Sequence, residues 1–359
     1  MNQRELACRG CLLGLAVGDA MGNTVDKKNW EEICESYGPN GLLGYDLANG
    51  CAEITSYTQL AAFAGNGLLL GVNRGHSEKY SRYIAVGLKE WLKGQMRQEG
   101  KSYCWLTQVP QLCQRRCADS RLKDALARDT LGTPERPIFK SDNPGAITIP
   151  VAVGLLYDRA WMQPSQVGRL GAEAVAFVSG DPESFLSGAV LAYSIAGILQ
   201  KPEKPLQQQF LQALEMVQTQ FGADYPQVQD LEQKLKRALD LAKDTELSPL
   251  AAISMLGCTT AAECLAGAVY AANLHPDNFD EAVIVAINHS GRSCAVGALT
   301  GAILGAKLGA DALPDFYLEC LEAAPVLEEL ATDISLGRQV MQIFDDSWDQ
   351  KYIQGMPAK

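Results

Sequence analysis

Apolar residues return every three or four positions through much of this chain. Leu211, Leu214 and Val217 form one such series, Leu231, Leu235, Ala238 and Leu241 a second, and Ala282, Val285 and Ala286 a third. A period near 3.6 places each series on one side of a helix. Start signals fall where they are needed: Asp181-Pro182 offers an N-cap with proline at the first helical position, and Thr260 and Glu263 have capping-box spacing. Proline and glycine punctuate the pattern near Gly38-Pro39, Gly132 to Pro137, Lys201 to Pro205, Tyr225-Pro226, Ser248-Pro249 and His275-Pro276. Most of these breaks are too short to link domains. No stretch sustains strand-like alternation, and the best strand candidate, Ala146 to Val153, reads equally as the start of a buried helix. The pattern predicts an all-α single domain over residues 1–345 with a C-terminal tail at 346–359.

Small residues add a second pattern. Gly297, Gly301, Gly305 and Gly309 recur every four positions. Each glycine costs about 1 kcal/mol against alanine inside a helix, so close packing, or packing beside a ligand, must compensate.

Composition narrows the function. A 47 % hydrophobic and 20 % charged chain is ordinary for a globular protein, and no uninterrupted apolar run approaches a membrane span. The short apolar stretch Cys11 to Val17 leads into Gly18-Asp19 without a cleavage pattern. Eleven cysteines, an odd number among apolar neighbours, suit reduced core thiols, Cys8-x-x-Cys11 included. The chain reads as cytoplasmic, with no membrane association. A net charge of -11 argues against nucleic acid, whose binding depends on neutralised phosphates. The basic cluster Arg115, Arg116, Arg121 and Lys123, offset by Asp119 and Asp124, reads as a solvated surface.

Five ordered segments then resemble the ADP-ribosylglycohydrolase family. Gly10 to Gly22 is similar to its opening helix, and Thr55-Ser56-Tyr57-Thr58 stands at its Thr-Asp-Asp-Thr motif. Ser141 to Leu155, with Asn143 and Gly145, resembles its central glycine-rich loop, and Ser179-Gly180-Asp181-Pro182 its His-Gly-Asp-Pro helix start. Ala286 to Gly305 resembles the closing Gly-Asp-x-Asp-Thr loop and glycine-laddered helix, with Arg292, Cys294 and Ala295 at the two acids and the threonine. The resemblance implies a compact orthogonal multi-helix bundle, hydrolysis of ADP-ribosyl glycosidic bonds, and two magnesium-type ions held between the first and last motifs.

The residues at those positions depart from that chemistry. Magnesium takes oxygen ligands, mainly carboxylates. Of the ligand positions only Thr55 keeps its type; four acids are replaced by Ser56, Tyr57, Arg292 and Cys294, so four negative charges become one positive charge. The expectation is therefore no magnesium, no other cofactor, and weak or absent hydrolysis. The fold is expected to keep a pocket for a small anionic or ADP-ribose-like ligand, bounded by Arg292, Thr55, Ser56, Tyr57, Asn143, Gly145 and Ser293. Arginine offers a planar fork for phosphate or carboxylate. Two alternatives stand beside this reading: metal-independent hydrolysis through Asp26, at the place of a family glutamate and with Arg292 as cation substitute, or a structural protein whose cleft Tyr57 and Arg292 close. Glu53 is a lesser substitute acid, Asp19 reads as a structural hydrogen-bond acceptor, and His289 with Cys294 lacks the further ligands of a zinc site. The oligomeric state is left open.

Overall fold

A computed structural model describes residues 2–76, 79–98, 100–116, 118–158, 162–337 and 346–355; the expected domain limit at 345 lies outside them. Helix follows helix. The N-terminal part contains α1 (Gln3–Val25), α2 (Trp30–Tyr37), α3 (Ser56–Asn73), α4 (Tyr80–Met96) and α5 (Ser120–Leu126). The middle comprises α6 (Ile149–Leu156), α7 (Pro164–Ala176), α8 (Pro182–Gln200), α9 (Leu206–Phe221), α10 (Val228–Leu241) and α11 (Pro249–Ser254). The remainder is α12 (Ala261–Leu274), α13 (Phe279–Ile287), α14 (Ser293–Leu308), α15 (Asp315–Cys320), α16 (Ala324–Leu336) and α17 (Asp346–Asp349). No strand occurs among the described residues, only isolated bridges such as Ala52 with Leu321.

The local signals act as the chain predicts. Asp181 accepts from the Ser184 N–H ahead of Pro182 at the start of α8, and Thr260 and Glu263 form the reciprocal capping box of α12. Ala146 to Val153 resolves as helix, a 3-10 turn at Pro144–Ala146 running into α6. Buried on all sides, that segment had no polar face to reveal its period.

The glycine ladder has a partner. Gly10, Gly14, Gly18 and Gly22 of α1 meet the α14 backbone antiparallel: a Cβ on Gly14 would lie 2.3 Å from the Gly301 carbonyl oxygen, and one on Gly18 2.0 Å from that of Gly297. Close packing of the two helices is thus what the ladder serves. It also fixes the C-terminal end of α1 against the start of α14, where two of the motif segments lie.

By length and composition one described helix, α8, is apolar enough to cross a membrane, with mean hydropathy 1.3 over its best window. Ser184, Ser187 and Ser194 interrupt its apolar run, and 78 % of that window is buried within the fold, against α6, α7 and α9 among others.

The segment expected as a tail packs instead, over 346–355. Trp348 and Tyr352 are buried, and Lys351 Nζ donates to Asp333 at 2.5 Å and Glu329 at 2.9 Å while lying near the rings of Trp105, Trp348 and Tyr352. Aromatic faces and carboxylates together replace the water that a buried ammonium loses. Lys351→Ala leaves the Asp333 carboxylate buried without its cation, and is expected to lower stability by about 3 kcal/mol in chemical denaturation.

Candidate functional site

Asp19 organises the first motif. Its buried carboxylate accepts from both the N–H and the hydroxyl of Thr55, at 2.7 and 2.6 Å, and of Thr58, at 3.2 and 2.6 Å. It therefore caps α3 from α1, a tertiary form of the structural role read from the sequence. Burial pushes its carboxyl up to about 6, although all four donors pull the other way. Thr55, the one family ligand type kept, is committed to this contact. Ser56, the first residue of α3, is buried beside it.

Tyr57 and Arg292 meet across the two motif segments, Arg292 Nη2 donating to the tyrosine hydroxyl at 3.3 Å. Tyr57 is 1 % exposed; burial drives its hydroxyl well above the usual range, Arg292 opposing. Asp26, the C-cap of α1, completes the cluster. Its Oδ1 lies 3.5 Å from Arg292 Nε and accepts the Cys294 N–H at 3.3 Å. Its side chain is only 5 % exposed. Burial works against the charge of Arg292, but Tyr57 and Asp26 outweigh it and hold the guanidinium above its ordinary value. The Arg292 side chain remains 27 % exposed, so the fork is partly open to solvent.

The backbone around Arg292 is closely set. Its N–H donates to the Cys258 carbonyl at 2.8 Å, and a Cβ on Gly291 would lie 2.5 Å from that same oxygen. His289 has both ring nitrogens engaged, Nδ1 accepting from the Gly291 N–H at 2.9 Å and Nε2 donating to Ala286 at 3.0 Å. Burial lowers its pKa to about 4, so at neutral pH it is an uncharged brace for the loop. Neither nitrogen is left to a metal, and the Cys294 thiol is buried.

Ser293 and Asn143 each bury a polar atom, Oγ and Nδ2, without a partner. Asn143 Oδ1 accepts from the Gly145 N–H at 3.1 Å, shaping the turn before α6, and Thr148 on that loop donates to the Tyr57 carbonyl at 2.7 Å. The central loop thus reaches the cluster through Thr148, whereas the hydrogen bonds that Arg292 donates and its ion pair go to Tyr57, Cys258 and Asp26 and not to Asn143 or Gly145. No group of three or more His, Cys, Asp or Glu side chains placed to hold a metal ion occurs among those residues either.

One member of the basic cluster expected to be solvated belongs here instead. Arg116 donates to the Ile54 carbonyl at 2.9 Å and forks onto Glu322, which in turn accepts the Ile54 N–H at 3.1 Å. Glu53 pairs with the same guanidinium at 3.3 Å. These contacts clamp the lead-in to α3 and occupy Glu53. Sequence reading missed Arg116 because its partner lies 206 residues away; Arg121, by contrast, is an exposed arginine paired with Asp119.

Helix starts at Thr55, Thr260 and Arg292, a glycine-laddered helix pair and a motif cluster between α1, α3 and α14 define a protein that is all-helical over its described residues. The family model described as ADP-ribosylglycohydrolase matches residues 2–343, and the chain belongs to that family. A solved structure titled "ADP-ribosylglycohydrolase-related protein complex" is similar over 94 % of this chain and 100 % of its own, at 21 % identity and a TM-score of 0.59, a likeness of fold. Comparison with curated proteins gives no match.

Proposed function

We propose that this member of the family works without a dimagnesium centre and holds a small anionic, ADP-ribose-like ligand at Arg292, with weak or no hydrolysis. The observation that carries this reading is the Arg292–Asp26–Tyr57 cluster at the meeting point of the two motif segments. A guanidinium there supplies the positive charge that an ion would otherwise bring, and supplies it in a planar fork suited to phosphate oxygens. The donor set present does not fit two dications. Thr55 donates its hydroxyl to Asp19, Tyr57 faces a cation, and Asp26 is held by Arg292. A dication beside Arg292 would meet a repulsion of about 4 kcal/mol per unit charge at 4 Å and an effective dielectric near 20. Further support comes from the buried, unpartnered Asn143 Nδ2, on the turn before α6, and Ser293 Oγ, at the start of α14.

Titration calorimetry with ADP-ribose tests the reading. Binding is expected to be the same in chelator as in magnesium, and about tenfold weaker in Arg292→Ala, the loss of one charge-assisted contact. An affinity that rises with magnesium, or that Arg292→Ala leaves unchanged, would sink it. Release of ADP-ribose from modified peptides in chelator, abolished by Asp26→Asn, would favour metal-independent hydrolysis instead.

A further inference from the structure

A second charged site lies along α4 and shares no residue with the Arg292 cluster. Lys79, Arg82, Lys89, Lys93 and Arg97 are spaced by three, seven, four and four positions, which aligns them on one side of the helix and its caps. Like charges at such spacings oppose helix formation. The stripe borders a cavity of about 460 Å³, completed by Arg74 and His76 from the preceding turn and by Tyr83 and Tyr103. An adjoining cavity of about 450 Å³ shares Glu90 and Lys93 and adds Arg97 and Lys101.

The charge of the first cavity is one-sided. Arg74, Lys79, Arg82, Lys89 and Lys93 give five positive charges, Glu90 gives one negative charge, and their sum is +4 among the described lining residues with His76 neutral. Glu90 is already taken, by Lys93 Nζ at 2.6 Å and the Ser102 hydroxyl at 2.6 Å. Lys89 turns its ammonium to the Arg128 and Asp129 carbonyl oxygens, and Arg74 lies over the Tyr103 ring at 5.8 Å. Arg74 and Arg82 are both exposed at the rim. Such a concentration stands out in a chain of net charge -11.

We propose that this cavity binds a small polyphosphorylated anion, with Arg74 and Arg82 as the forked donors and the α4 lysines supplying the surrounding positive field. Two arginines at the mouth match bidentate recognition of phosphate oxygens. The volume lies within the range of small-molecule sites. A concave site of this size on a molecule of net charge -11 favours a compact soluble anion over an extended nucleic acid or a membrane surface.

The test is titration of the full chain with inorganic tripolyphosphate, run beside sedimentation with vesicles of phosphatidylserine and phosphatidylcholine. Saturable binding of one tripolyphosphate per chain is expected. It should weaken at least about tenfold in the Arg74→Glu/Arg82→Glu double variant and measurably in the charge-neutral Arg74→Gln/Arg82→Gln. It should be unchanged in Arg121→Glu, at a surface arginine elsewhere. Absence of saturable binding, full binding by both double variants, or association with vesicles alone would overturn the proposal. Loss of binding in Arg292→Ala with retention in the α4 variants would place the anion at the other site, overturning this inference and leaving the Arg292 reading intact.

Discussion

Gly301→Val is expected to lower the stability of the protein by about 4 kcal/mol, above the range of about 1–3 kcal/mol usual for an overfilled core. A Cβ at position 301 would sit 1.9 Å from the Gly14 carbonyl oxygen and 2.5 Å from its carbon. Backbone atoms of a packed helix cannot step aside as a flexible side chain does, so α1 and α14 must separate along their length. Separation opens gaps beside Leu15, Val17 and Leu299, all buried, and shifts Asp26 relative to Arg292. Denaturant unfolding of the variant, compared with Gly44→Ala, measures the effect. A Cβ at position 44 would meet no atom within 4 Å, and that substitution should fall within about 0.5 kcal/mol of the parent. Equal behaviour of the two variants would show that the helix contact is looser than its geometry.

The second large effect concerns Asp19 and depends on pH. Asp19→Ala strands two buried backbone N–H groups and two hydroxyls at the start of α3, and is expected to cost about 4 kcal/mol at pH 4. The cost should shrink to about 1 kcal/mol at pH 7. The Asp19 carboxyl rises from an ordinary 3.8 to about 6 in the fold. Its contribution is therefore fully present below pH 3.8 and lost as pH rises through 6, a change of about 3 kcal/mol. His289 works in the opposite sense. Its pKa falls from 6.5 to about 4, so its contribution is present above pH 6.5 and lost as pH falls through 4, again by about 3 kcal/mol. In the intact protein these two slopes oppose each other between pH 4 and 6.5. Removing Asp19 exposes the His289 slope, and stability of the variant relative to the parent should rise across that interval. A deficit that stays constant with pH would contradict the assignment of the Asp19 shift.

Much of the helical architecture was legible because its determinants are local. Asp181 with Pro182, and Thr260 with Glu263, act within one turn, and the series at Leu231, Leu235 and Ala238 needs only the helical period to predict a buried face. The glycines of α14 signalled a close approach, although the chain gives no sign of what approaches. Their counterparts in α1 precede them by 279 to 295 residues, counting Gly297 with Gly18 and Gly305 with Gly10. Distance in sequence also hid the contacts that shape the site. Nothing near Asp26 in the chain announces that α14 brings Arg292 to it, and Arg116 reads as solvated until Glu322 meets it. Motif spacing could place Tyr57 and Arg292 near each other, but not reveal that the tyrosine hydroxyl would take a hydrogen bond from the guanidinium. The C-terminal segment misled for a different reason: Trp348 and Tyr352 flank a lysine, and a buried lysine becomes intelligible only once Asp333 and three aromatic rings surround it.

The union of α1 with α14 also sets an order for assembly during synthesis. The cradle for the first helix is built from residues 293–308, so α1 leaves the ribosome long before its resting place exists. Until then its apolar, glycine-lined surface must stay solvated, seek a transient companion, or lean on neighbours such as α3. Long-range closure of this kind slows folding and prolongs exposure of sticky surface. A nascent chain halted before residue 293 should therefore keep its opening helix accessible to chaperones and proteases, and release it only when α14 emerges.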